Sequence, residues 1–162
     1  MPSPEERLAD LGLTLPAPVR VPPDLHLPFT FVNVRGRRVL ISGHPAHDAK
    51  GNIAGPYGKL GEALTTEEGY AAAGEIALSV LADLKAEIGE LSRVAGWTRV
   101  FGMVNSAPGF TDQHRVVNGF SDMILEAFGP VAGRHARSAI GVAGLPMDFA
   151  MEIEGELELT ES

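Results

Sequence analysis

The sequence predicts an α+β domain, a mixed β-sheet with two helices packed on one face, in the order ββαβαββ. Three observations lead there. Residues 66–88 and 111–128 place apolar side chains three and four apart, the period of a helix with one buried face. Residues 29–42, 97–104 and 138–159 carry the alternation or the β-branched runs of strands. The two periods interleave along the chain, so the helices can gather on one side of a shared sheet.

Ser3-Pro4-Glu5-Glu6 combines a capping hydroxyl, a proline at the first helical position and a glutamate three residues after the serine. That pattern predicts a short helix over residues 4–12, with Leu8, Leu11 and Leu13 as its apolar residues. Residues 15–28 contain five prolines, which exclude a regular helix and predict an extended linker lying on the domain. Residues 1–28 therefore read as an N-terminal helix and Pro-rich extension, and residues 29–159 as the domain proper. Within it, residues 29–34 and 38–42 flank Arg35-Gly36-Arg37, two strands and a tight turn. The Gly- and Pro-rich stretch from Gly43 to Gly61 is a long loop, of a length that usually either serves function or moves, and it is expected near the site.

Thr66 is read as the cap of a helix reaching Ile88, with Tyr70, Ala73, Ile76, Ala77, Val80, Leu81, Leu84 and Ile88 on its buried face. From Trp97 to Val104, apolar residues occur on both faces, which predicts a central strand. Thr111-Asp112 opens a second helix carrying Val116, Val117, Phe120, Met123, Ile124 and Phe128, ended by Gly129-Pro130. Residues 138–159 read as a terminal hairpin turning at Gly144-Leu145-Pro146.

Composition narrows the function. At 162 residues, 44% hydrophobic and 21% charged, the chain can bury a core without disulfides or a structural metal. A net charge of −8 opposes nucleic acid as a partner, because that affinity comes mainly from cations on phosphates. The absence of cysteine excludes a thiolate nucleophile, Cys-ligated zinc and iron–sulfur clusters. No stretch approaches the ~20 apolar residues of a membrane span, so the cytoplasm is the expected location. His44-Pro45-Ala46-His47-Asp48 lacks the rigid ligand spacing of a zinc motif, and neither a metal nor another cofactor is expected.

The last strand carries the chemistry. Phe149, Met151, Ile153, Leu157 and Leu159 share one face, and Glu152, Glu154, Glu156 and Glu158 the other. A hairpin closing near Gly144 and Leu145 places Glu152 opposite Arg137 on the face away from the helices, where Ala139, Gly141 and Ala143 leave room for a ligand or a neighbouring subunit. A guanidinium offers a planar fork that matches a carboxylate, and a nearby glutamate can orient water. A plain cross-strand ion pair between Arg137 and Glu152 satisfies the same spacing.

Ser42-Gly43-His44-Pro45, Asn118, Ala136-Arg137-Ser138, Val142-Ala143-Gly144-Leu145-Pro146 and Met151-Glu152-Ile153-Glu154 occur in the order of the motifs of the YjgF/Rid superfamily, also called L-PSP endoribonuclease-like. Residues 29–159 resemble that family. The resemblance implies a chorismate-mutase-like fold and a homotrimer with clefts between subunits. It also implies a small carboxylate-bearing ligand: Arg137 would hold the carboxylate of an enamine or imine made from an amino acid, and Glu152 would place the water that releases ammonia and a 2-oxo acid. Ser42, His44, Asn118, His135 and Phe29 would line the cleft. A non-catalytic binder or sensor would use the same cleft, and the family's ribonuclease label supplies a third reading that the charge opposes. His135 stands where the family usually has Pro, His44 replaces Gln, and Phe29 replaces a Tyr hydroxyl found in deaminating members. The loop from Gly51 to Thr66 is longer than the family's common form.

Overall fold

In the computed structural model, which describes residues 1–161, the first helix is α1 (Pro4–Asp10). The capping box read from the sequence closes in both directions: Ser3 Oγ accepts the Glu6 N–H (3.1 Å) and the Glu6 carboxylate accepts the Ser3 N–H (2.7 Å). Leu8 is buried in the same core as the sheet and the long helices. The Pro-rich extension lies along the domain, fastened where the Ala17 and Arg20 amides donate to the carbonyls of Ala49 and Gly51, and where Val19 N–H donates to Asp83 Oδ1 at 2.7 Å.

Strands β1 (Val32–Arg35) and β2 (Arg38–His44) form the expected hairpin, with Gly36 at φ +61° in its turn. Helix α2 (Thr66–Ile88) is capped one residue earlier than expected, by Thr65 with Glu68 completing the box. Ala73, Ile76, Ala77, Val80, Leu81, Leu84 and Ile88 are buried as read, but Tyr70 is not. A Cβ on Gly119 would sit 2.0 Å from the Tyr70 carbonyl oxygen, so backbone meets backbone there and the tyrosine ring is turned outward. Its hydroxyl donates to Asp122 at 2.5 Å.

Strand β3 (Val94–Asn105) is central, and α3 (Gln113–Ala132) follows it with Val116, Val117, Phe120, Ile124 and Phe128 buried. Gly129, at φ 78° and ψ 176°, interrupts that helix where the sequence placed its end, and Pro130 begins one further turn. Strands β4 (Ala136–Val142) and β5 (Met151–Leu159) complete a five-stranded sheet in the order β1-β2-β5-β3-β4.

The expected terminal hairpin does not form. β4 runs parallel to β3, joined to it through α3, while β5 crosses to the other side of β3 and pairs antiparallel with both β3 and β2. Period-two alternation assigns a strand's faces but not its neighbours. It was right about the faces: Met151, Ile153, Leu157 and Leu159 are buried under the helices and the glutamates alternate with them. Between β4 and β5 the chain makes a short 3₁₀ turn, Pro146–Asp148, with Met147 and Asp148 at positive φ, in place of a tight hairpin turn.

Candidate functional site

This topology divides the residues singled out from the sequence. Arg137 pairs with Val100 and Glu152 pairs with Met103, three residues further along β3. Positions three apart on a strand point to opposite faces, so Arg137 lies on the helix side and Glu152 on the open side. The row Arg137, Ala139 and Gly141 faces α3, correcting the expectation that it lines the face away from the helices; a Cβ on Gly141 would meet Gln113 and Ser106 at 2.7 and 2.9 Å. The Arg137–Glu152 ion pair is likewise excluded within one chain.

Arg137 is held along α3 by neutral acceptors. Its Nη1 donates to Asn118 Oδ1 (2.9 Å) and Ser121 Oγ (3.1 Å), and Nη2 donates to the His114 carbonyl (3.2 Å). Residues 114, 118 and 121 lie on one stripe of the helix, which is why one side chain reaches all three. Three of the five guanidinium N–H groups are thereby used, leaving two without a partner among the described residues. Burial lowers the Arg137 pKa, partly offset by the charge of Asp122, yet a guanidinium remains charged at neutral pH. No carboxylate of the described residues forms an ion pair with it.

His135 joins this group. Its Nδ1 lies 2.7 Å from the Gly133 carbonyl oxygen, an acceptor only, so Nδ1 carries the proton. Nε2 then presents its lone pair to Ser121 Oγ at 2.9 Å, and the serine hydroxyl donates. Burial lowers the His135 pKa and the Arg137 charge adds to that, against the opposing pull of the Gly133 carbonyl. The imidazole is therefore neutral at neutral pH.

On the open face, Phe29 and Ser42 line a groove of about 550 Å³ together with Arg99, Phe101 and Glu154. Ser42 Oγ donates to the Thr30 carbonyl at 2.7 Å. Glu152 reaches towards β2, and a Cβ on Gly43 would sit 2.8 Å from its Oε2, so only glycine leaves that carboxylate its place. Burial raises the Glu152 pKa, with Glu154 adding and His44 opposing.

His44 lines neither group. It is fully buried, with Nδ1 2.7 Å from the Ser42 carbonyl oxygen and Nε2 2.8 Å from Asp83 Oδ2. His47 Nε2 lies 3.4 Å from the same carboxylate oxygen. Burial pushes Asp83 up, but the hydrogen bond to His44, the nearby His47 and the hydrogen bond from Val19 N–H outweigh it and hold the carboxylate far below its ordinary range. The long loop sits at the Glu152 end of the sheet: Tyr57 stacks on Phe149, and Lys59 Nζ donates to Asn105 Oδ1 (2.8 Å) and the Ala143 carbonyl. It does not border Arg137.

Sequence reading missed Ser121 and Asp83. Asp83 did carry a signal, an acid inside the apolar run of α2, since a buried charge needs a partner. Ser121 interrupts the apolar stripe between Phe120 and Ile124 in the same way.

Residues 5–152 match the family described as YjgF/chorismate mutase-like, putative endoribonuclease. The chain belongs to this family. Protein TCP17 of Trypanosoma cruzi is 40% identical over 153 residues, spanning 94% of this chain and 91% of that one. Among solved structures, an endoribonuclease-like protein of Shewanella oneidensis superposes with a TM-score of 0.87 at 31% identity, covering 98% of this chain and all of the other. Escherichia coli TdcF with bound serine shares the fold, with a TM-score of 0.57 at 18% identity over 91% of this chain and 96% of its own. No described helix is long and apolar enough to cross a membrane.

Proposed function

We propose that the protein binds a small carboxylate-bearing molecule on Arg137 and, as an assembly of identical subunits, hydrolyses an enamine or imine derived from an amino acid. The observation that carries this reading is the state of the guanidinium: half-buried, fixed by three neutral acceptors, lacking an acidic partner among the described residues, and left with two N–H groups. A ligand carboxylate completes such a group bidentately. TdcF, of the same fold, holds serine, an amino acid bearing that carboxylate.

Arg137 and Glu152 of one chain face opposite ways, so a shared ligand needs Arg137 from one copy and Glu152 from another. The open face supports assembly, because it leaves Phe29, Leu40 and Ile140 exposed by 52%, 36% and 42%. A homotrimer with clefts between subunits accommodates this requirement. In such a cleft, ionised Glu152 takes a proton from water as the water attacks the imine carbon and passes it to the imine nitrogen; the nitrogen of the tetrahedral adduct then takes the remaining hydroxyl proton and leaves as ammonia, giving a 2-oxo acid. Its raised pKa makes Glu152 a better base than a free glutamate.

The test is release of ammonia from freshly generated 2-aminoacrylate, with light scattering to establish the assembly. Acceleration over the spontaneous rate, lost in both Arg137→Ala and Glu152→Gln, is the expected result. A trimer without acceleration removes the catalytic step. A second reading, a non-catalytic binder, is favoured by Phe29, which brings no hydroxyl to the groove. It predicts that a 2-oxo acid raises the melting temperature of wild type and Glu152→Gln alike, but not of Arg137→Ala. RNA cleavage is disfavoured by the charge of −8.

A further inference from the structure

Ser121 is placed as an activated nucleophile is placed. Its hydroxyl donates to His135 Nε2 at 2.9 Å, and the tautomer that makes Nε2 the acceptor is fixed by the Gly133 carbonyl, 2.7 Å from Nδ1. A nucleophile, a base within hydrogen-bond reach and a third group orienting that base form the general constellation of covalent catalysis by serine. Two further features fit. Arg137 Nη1 donates to the same oxygen at 3.1 Å, so negative charge developing on Ser121 Oγ meets a fixed cation. The Asn118 side-chain oxygen is turned to Arg137, and its amide nitrogen has no partner among the described residues, a donor available to an oxyanion.

We infer that Ser121 is a nucleophile for acyl transfer, with His135 as its base, acting on small esters whose own carboxylate is held by Arg137. The substrate class rests on the carboxylate reading of Arg137 given above; the nucleophile itself does not. In the first step Ser121 Oγ bonds to the acyl carbon and its proton passes to His135 Nε2. The carbon–oxygen bond to the leaving group then breaks, and that oxygen takes the proton from His135. Water, deprotonated by His135, next attacks the acyl-serine; the Ser121 ester bond breaks and Oγ regains the proton. The sum is ester plus water giving acid plus alcohol, with no oxidant or reductant required. The planar guanidinium that touches Ser121 also carries the two free N–H groups, so the carboxylate site and the nucleophile share one side chain.

The experiment uses the full chain. It is incubated with a neutral fluorophosphonate, and the adduct is weighed intact and mapped by peptide mass spectrometry. In parallel, nitrophenolate release is followed from 4-nitrophenyl hemisuccinate, which carries a carboxylate, and from 4-nitrophenyl acetate, which does not. The expected result is one fluorophosphonate adduct per chain, mapped to Ser121, and hemisuccinate cleaved faster than acetate. His135→Gln slows labelling by about a hundredfold or more, the usual contribution of a positioned base. Arg137→Ala removes the preference for hemisuccinate. Mapping is done on the wild-type chain, so the assignment holds even where Ser121→Ala or His135→Gln fails to fold. No adduct at Ser121, or a labelling rate untouched in folded His135→Gln, overturns the nucleophile. If labelling fails while a 2-oxo acid still stabilises wild type and not Arg137→Ala, only the nucleophile falls. If labelling succeeds and neither substrate preference nor 2-oxo acid binding depends on Arg137, the carboxylate reading falls and the proposed substrate class with it.

Discussion

Asp83→Ala is the substitution whose cost can be worked most directly from the structure. The carboxylate is buried towards the C-terminal end of α2, where it accepts His44 Nε2 at 2.8 Å and Val19 N–H at 2.7 Å, and lies 3.4 Å from His47 Nε2. Removing one partner of a buried pair costs about 3–5 kcal/mol, because the other is left unpaired. At ~2–4 °C per kcal/mol for a domain of this size, the melting temperature should fall by roughly 6–20 °C. The pH dependence has a definite sign. Asp83 has its pKa depressed in the folded state, so its contribution is present above the unfolded carboxylate value of ~3.9 and is lost as pH falls below it. Burial lowers the His47 pKa, but attraction to Asp83 wins and leaves it raised; that contribution is present below the unfolded value of ~6.5 and is lost as pH rises through the folded one. The gap between wild type and Asp83→Ala should therefore be widest from about pH 4 to about pH 6.5 and narrow on both sides. Circular dichroism melts and urea titrations at pH 3, 5 and 8 measure it. A loss under about 1 kcal/mol, or a gap that stays constant from pH 5 to pH 3, would refute the reasoning.

Three other substitutions test separate parts of the structure. Gly102→Ala puts a Cβ 2.6 Å from a Val117 methyl group, between β3 and α3, and should cost about 1–3 kcal/mol in denaturant titrations. Ser3→Ala removes one half of the α1 capping box and should cost about 1 kcal/mol or less in the same titrations, since the hydrogen bond it removes is exposed. In the pH profile of ammonia release, activity should fall on acidification at a pH above that of a free glutamate, because Glu152 has its pKa raised and acts only when ionised; Gly43→Ala, which displaces that carboxylate, should abolish the limb.

The helices and the first hairpin were legible because their signals are local. Ser3 with Glu6, the apolar stripe from Ala73 to Ile88 and the glycine at position 36 each declare a structure within a few residues. The faces of β5 were legible for the same reason, through Met151, Ile153, Leu157 and Leu159. Its neighbours were not, because strand pairing is decided by partners far away in the chain, and the nearness of β4 in sequence favoured a hairpin that the crossover through α3 replaces. The error carried into the site: a register that set Arg137 opposite Glu152 merged two groups lying on opposite faces. His44 was misjudged for a related cause. Its place beside Ser42 reads as a cleft position, whereas its ring is drawn under the sheet by Asp83, 39 residues away.

The tie between Val19 and Asp83 also has a meaning in time. The two residues are separated by 64 positions, so during synthesis the N-terminal arm emerges long before the carboxylate that fastens it. At ~5–20 residues per second, the wait is roughly 3–13 seconds. Throughout that interval Leu8, Leu13 and Leu15 have no core to enter, and the arm of the nascent chain stays sticky. Chaperones that survey emerging polypeptides would meet that arm before any strand of the sheet has been made.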